Sequence, residues 1–266
     1  MPRLLSRRRM LGFGGAGLAA LLAGCGEDSN PIAQAPTPTP SATPAGSDGR
    51  PAGASPSEEG EIPEETAGPF PGDGSNGPDA LTASGVVRKD IRTSFGDASG
   101  TAEGVRLTIR LTIVQLEDGV STPIEGAAVY LWHCDREGRY SMYSQGATEE
   151  NYLRGVQVAD ARGVLEFTSI FPAAYSGRWP HIHFEIYQDL KTATSAGTKL
   201  RTTQLALPED VCTTVYASTG YEASVRNMSS TSLTSDNVFS DGVTLQLAKT
   251  TGSVTQGYVA SLTVPV

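Results

Sequence analysis

The chain has 266 residues, a formal net charge of −9, 38% hydrophobic residues and 18% charged residues. That is enough apolar material for one substantial core, and an acidic balance without a basic stripe argues against nucleic acid as a partner. Three cysteines and three histidines are few enough that each invites a reason.

At the N-terminus, "SRRRMLGFGGAGLAALLAGC" (6–25) places arginines after Ser6, then a short Gly/Ala-rich apolar run, then Cys25. This is the layout of an export signal, and the run is too short for a good membrane span. The arginines resemble a twin-arginine signal, which serves a pathway for already folded cargo, and "LLAGC" resembles a bacterial lipobox. The expectation is a signal over residues 1–25 and an exported protein anchored in the cell membrane through a lipid on Cys25, on the extracytoplasmic side. An ordinary signal cut nearby, with Cys25 unmodified, is the plainer alternative. Residues 26–62, centred on "PTPTPSATPAG", have almost no large apolar side chains. Such a segment cannot offset the entropy of ordering and reads as a disordered tether, able to hold a domain up to roughly 100 Å from a surface.

Residues 63–266 form the folded part. "VRLTIRLTIVQ" alternates, with Val105, Leu107, Ile109, Leu111 and Ile113 on one face, the period-2 pattern of a half-buried strand. "AAVYLWHC", "GVLEFTSI", "HIHFEIYQ", "TTQLAL", "VTLQLAKT" and "YVASLTVPV" are further β-rich runs, several separated by turn pairs such as Asp118-Gly119, Glu137-Gly138 and Arg162-Gly163. "LPEDVCTTVYA" predicts one short helix. The fold class expected is all-β: a sandwich of mainly antiparallel strands with few short helices. Cys134 and Cys212 would share an oxidising compartment. A disulfide between them and two separate buried thiols both remain open, because sequence does not supply the Cα separation a bridge needs.

Two of the three histidines stand two apart in "YSGRWPHIHFEIY" (175–187). On a strand that spacing puts His181 and His183 on one side and Ile182 on the other. Two neutral imidazoles on one face are half of a transition-metal site; two polar residues on a solvated face would give the same spacing. No cysteine cluster or Glu-x-x-His lies nearby to suggest structural zinc. Tyr175 and Tyr140 do lie upstream. A phenol has a pKa near 10, which a highly charged cation lowers, so two tyrosinates would favour a trivalent ion such as Fe(III). The spacing alone does not bring Tyr140 to the site.

Those residues carry a resemblance. "ETAGPF" (65–70), "VYLWHCDREGRYS" (129–141), "YLRGVQVADARGVLEFTSIFPAAYSGRWPHIHF" (152–184) and "TTQLALPEDV" (202–211) together resemble the intradiol ring-cleavage dioxygenases, non-haem ferric enzymes that include catechol 1,2-dioxygenase and protocatechuate 3,4-dioxygenase. The resemblance implies a β-sandwich with Fe(III) held by Tyr140, Tyr175, His181 and His183. It implies that a small aromatic diol and O2 are the substrates, and a cis,cis-muconate-type diacid the product. Within it, Tyr175 is the ligand a diol displaces and Tyr140 the one retained. Arg178 stabilises the anionic diol, and Gln204 holds substrate or a ligand. Phe70 lines the pocket, Tyr143 and Tyr152 are wall or core, Trp132 is core, and His133 is structural. The helical N-terminal region through which intracellular catechol enzymes dimerise has no counterpart here, so oligomeric state is left open, and "DLKTATSAGTK" (189–199) reads as an insertion. Two rival readings stand beside this one. Transthyretin-like sandwich modules, which bind without a metal, share the "PIEGAAVYLWHCDREGRYS" pattern, and a zinc or copper site with hydrolytic chemistry would use the same histidines.

Overall fold

The structure, a computed structural model, describes residues 60–266. The signal, Cys25 and nearly all of the tether lie outside the described residues. The order is β1(Arg106–Glu117), β2(Val120–Pro123), β3(Ala128–Trp132), β4(Arg154–Val158), β5(Val164–Ile170), β6(His181–Tyr187), α1(Leu190–Thr194), β7(Lys199–Ala206), α2(Glu209–Tyr216), α3(Glu222–Ser229), β8(Lys249–Ser253) and β9(Gly257–Pro265). Among the described residues no helix is long and apolar enough to cross a membrane.

Two sheets form the sandwich. One runs β2-β1-β9-β8, with β5 also paired to β1; the other runs β4-β3-β6-β7. Between these strands every pairing is antiparallel except β1 with β9. Leu107, Ile109, Leu111 and Ile113 are fully buried as their alternation predicts. They meet Val129, Leu131, Ile182, Phe184, Ile186 and Leu205 from the second sheet in one core. At the end of β1, Asp118 and Gly119 both adopt positive φ (49° and 75°), the twist-matched two-residue turn of a tight hairpin. Gly163 is required for space: a Cβ there would run into the Ile113 carbonyl.

The second sheet is covered on its outer face as well, so every residue of β6 is buried. Leu81, Val86, Tyr130, Trp132, Tyr140, Val156 and Tyr187 form that second cluster, beneath the long stretch from residue 60 to β1. This cover is why an "HIH" strand end is not solvated.

Several expectations shift. The fold begins slightly before residue 63: Ile62 is fully buried, and its amide donates to the Pro265 carbonyl at 2.9 Å. "VTLQLAKT" is not a strand throughout. Residues 243–248 turn back on themselves, with the amides of Gln246 and Leu247 both donating to Val243 O, and β8 starts only at Lys249. Residues 189–199, read from the sequence as an insertion, hold α1, capped by the Asp189 side chain on Thr192 N. Cys134 and Cys212 form no disulfide. Cys134 follows β3 and packs in the outer cluster, with its thiol directed at the Ala173 carbonyl, whereas Cys212 sits on α2 in the inter-sheet core.

Candidate metal centre

Strand register builds the site. Arg154, Trp132, His183 and Gln204 form one row across β4, β3, β6 and β7, and directly opposed residues share a face. The His183 imidazole lies flat on the Trp132 indole, with centroids 5.0 Å apart and 6° between planes. His181, two residues earlier, emerges on the same face. Both histidines are almost fully buried, at 2% and 3% exposure, which removes the reading of a solvated polar face.

Two loops deliver the tyrosines. After β3 the chain turns at Asp135, whose carboxylate accepts from the amides of Glu137 and Arg139, from Arg139 Nε and from Tyr152 Oη. Gly138 (φ 85°) completes this turn close to Tyr175, and the Tyr140 amide is held by Ser144 Oγ. After β5, "FPAAY" is tied to α3 through the Ala174 amide, which donates to Ser224 Oγ at 3.1 Å, and leaves Tyr175 facing Tyr140.

The four side chains predicted as ligands converge. His181 Nε2 lies 3.0 Å from His183 Nε2, 3.1 Å from Tyr175 Oη and 3.5 Å from Tyr140 Oη, and the two phenol oxygens are 3.4 Å apart. His181 Nδ1 points at the Trp179 carbonyl. That contact assigns the ring proton to Nδ1 and leaves the Nε2 lone pair facing the cluster. Burial, reinforced by Arg178, depresses the His181 pKa to about 3, and burial with the neighbouring His181 drives His183 well below its usual range. Both rings are therefore neutral donors at pH 7. Burial pushes Tyr175 up to about 12 and Tyr140 well above the usual phenol range, so neither phenol would ionise here without a cation.

Arg178 borders the cluster. Its Nε donates to Asp236 Oδ2 at 2.9 Å and its Nη2 to Gln204 Oε1 at 2.6 Å, while Gln204 Nε2 donates to the Thr66 carbonyl at 2.9 Å. Arg178 and Gln204, named separately from the sequence, are thus in direct contact. Phe70 walls the site as expected, its ring 4.9 Å from Tyr140 and 5.3 Å from Tyr143. Tyr143 also ties residues 72–76 across the site, accepting from the Gly72 amide and donating to Asn76 Oδ1. Gly68 (φ 70°) lies against His183, where a Cβ would sit 3.3 Å from the ring. His133 is structural, buried with Nε2 2.7 Å from Ser169 Oγ.

Sequence reasoning missed two residues. Arg154, 1% exposed, spends its guanidinium on the carbonyls of Phe70, Pro71 and Ser141, on Ser141 Oγ and on Tyr130 Oη, pinning two site loops to β4. Asp236 sits in a segment with no motif. A lone arginine in "YLRGVQV" and one aspartate in a serine-rich stretch carry no spacing signal that could have marked them.

The donor set fits a hard, highly charged cation. Among the described residues no group of three or more His, Cys, Asp or Glu side chains could hold a metal ion. The two imidazoles here are completed only by phenol oxygens, a set suited to Fe(III) rather than to softer divalent ions. His183 Nδ1 has no hydrogen-bond partner, and the ring is oriented instead by its stacking on Trp132.

Comparison with known proteins agrees with this geometry. A family model described as "Dioxygenase" matches residues 77–220, more than half of the chain. Catechol 1,2-dioxygenase from Pseudomonas sp. (strain EST1001) is 38% identical over 61 residues, 23% of this chain and 20% of that protein. Chlorocatechol 1,2-dioxygenase from Rhodococcus opacus is 38% identical over 60 residues, 23% of each chain. The matched stretch thus spans about a fifth of the length of these curated relatives. Among solved structures, an intradiol ring-cleavage dioxygenase from Tetranychus urticae superposes with a TM-score of 0.54 at 23% identity, covering 68% of this chain and 86% of that one, a likeness of fold. With the family match spanning β1 to α2 and carrying all four converging side chains, this chain belongs to the intradiol ring-cleavage dioxygenase family.

Proposed function

We propose that this protein is a non-haem Fe(III) dioxygenase that opens the ring of a catechol-type diol with O2 between its two hydroxylated carbons, giving a cis,cis-muconate-type diacid. The observation that carries the reading is the convergence of Tyr140, Tyr175, His181 and His183, linked by four polar contacts of 3.0 to 3.5 Å. A metal-free binding module has no use for two buried imidazoles closed against two phenols, so the transthyretin-like reading is not favoured. Fe(III), when bound by these four residues, would supply the charge that ionises the phenols and the diol and activates the ring towards O2.

The chain's own residues divide the remaining work. Tyr140 is nearly fully buried (2%) and Tyr175 is more open, which supports Tyr175 as the phenol that swings aside and accepts a diol proton at Oη. Arg178, 14% exposed at its side chain, offers a permanent cation to the bound anion. Phe70 and Tyr143 present flat walls suited to an aromatic ring. The names of the curated relatives favour catechol or a chlorinated catechol as substrate. We also propose export and lipid anchoring at Cys25, on the signal and lipobox pattern.

The test is a visible spectrum of the purified protein, before and after catechol is added under nitrogen. A tyrosinate-to-Fe(III) band that shifts with catechol, weakens in Tyr175→Phe and is lost with the iron in His183→Ala supports the assignment. Protein that stays colourless after reconstitution with ferric or ferrous iron would overturn it.

A further inference from the structure

We propose that Asp236 is the positioning residue for Arg178, locking the guanidinium against the ligand cluster before substrate arrives. The inference rests on the ring-cleavage reading above. Asp236 lies between α3 and β8, beyond residues 77–220 that match the family model, and it is fully buried. Its carboxylate takes two hydrogen bonds on each oxygen. Oδ2 accepts from Arg178 Nε (2.9 Å) and the Trp179 amide (2.6 Å), and Oδ1 from the amides of Val238 (2.8 Å) and Phe239 (3.2 Å).

The anion is itself immobile. Val238 and Phe239 are buried against Trp179 and Ala206, the Trp179 indole donates to Leu207 O at 2.9 Å, and the Asp236 backbone joins Ser232 O and Ser240 N. From the other side Gln204, fixed by the Thr66 carbonyl, takes Arg178 Nη2. The guanidinium is thus gripped along its Nε edge and at one Nη2 hydrogen. Its three remaining N–H donors have no hydrogen-bond partner among the described residues and are free for an anionic diol. A long arginine side chain otherwise loses rotamer freedom when it engages a substrate, and ordering it in advance moves that cost out of the reaction. The arrangement is also economical in charge, since the buried carboxylate is satisfied by the cation it orients.

The experiment compares wild type, Asp236→Asn, Arg178→Met and the double variant of the full chain, each loaded with ferric iron. Asp236→Asn is expected to keep wild-type iron content and to lower kcat about 10- to 100-fold, with KM changed by less than about 3-fold. In the Arg178→Met background the same substitution is expected to change the residual kcat by less than about 2-fold, because contacting residues are non-additive. In the metal-free protein, the Arg178 Nε–H resonance should exchange slowly and be lost in Asp236→Asn. Equal losses in both backgrounds, an unaltered resonance or an unaltered kcat would overturn the role. A wild type that binds iron but cleaves no diol would sink the proposed reaction and this role with it, whereas a cleaving wild type indifferent to Asp236→Asn would sink only the role.

Discussion

Lys199→Met probes how the sheet that carries the histidines is held. Lys199 Nζ lies 2.6 Å from Asp73 Oδ2 and 2.6 Å from Glu185 Oε1, and those carboxylates are 2% and 0% exposed. Glu185 shares β6 with both histidines, and Asp73 closes the loop that passes Gly68 and Phe70. Removing one partner of a buried ion pair costs about 3–5 kcal/mol, because it strands the other charge. The lower end applies here, since the Lys199 side chain is 31% exposed and Glu185 can take up a proton. Burial, only partly offset by Lys199, raises its carboxyl to about 7. With an unfolding entropy of about 2.1 cal/mol/K per residue over roughly 200 ordered residues, 3 kcal/mol corresponds to about 7 °C in Tm. The sign with pH follows from the same groups. Without the ammonium, the Glu185 carboxyl binds its proton still more tightly folded than unfolded, so the variant's stability falls as pH rises from about 4.5 to beyond 7. Calorimetry should therefore show a loss of about 7 °C at pH 8 that shrinks at pH 5. A loss below about 2 °C at pH 8, or a larger loss at pH 5, would refute the account of a buried triad.

Gly68→Ala should weaken iron binding about 10-fold or more, measured by chelator competition, because the added methyl presses on His183. Gly119→Ala, with open space around a similar φ, should show only the backbone cost of about 1–2 kcal/mol and no change in iron. Ile182→Ala should cost about 2–5 kcal/mol in denaturant unfolding yet retain iron below its Tm, since Ile182 faces the inter-sheet core; loss of iron at unchanged stability would contradict that facing. The Glu65 carboxyl is raised to about 7 by burial and by Asp241, so it detracts from stability progressively as pH rises from about 4.5 to 7. Glu65→Gln should flatten the plot of Tm against pH over that interval. Cys25→Ala should release the expressed protein from membranes, and unchanged partitioning would count against the anchor.

Local pattern determined what depends on neighbours along the chain. The alternation in β1, the Asp118-Gly119 hairpin, the helix at "PEDVCTTVY" and the shared face of His181 and His183 are all consequences of strand and turn geometry over a few residues. The family's motif order extended this to the pairing of Tyr140 and Tyr175 with those histidines. What tertiary structure alone decided lies at long separations. The parallel seam of β1 with β9 joins residues about 150 apart, and no periodicity announces a strand's partner. The burial of β6 on both faces comes from a covering stretch that has no regular pattern of its own. The two thiols stay apart because β3 and α2 deliver them to different cores. Arg154 and Asp236 acquire their roles only from carbonyls, amides and a guanidinium brought together by folding. A hydrogen-bond partner 58 residues away leaves no trace in local spacing, which is why the four converging side chains could be named from the chain and the groups packed around them could not.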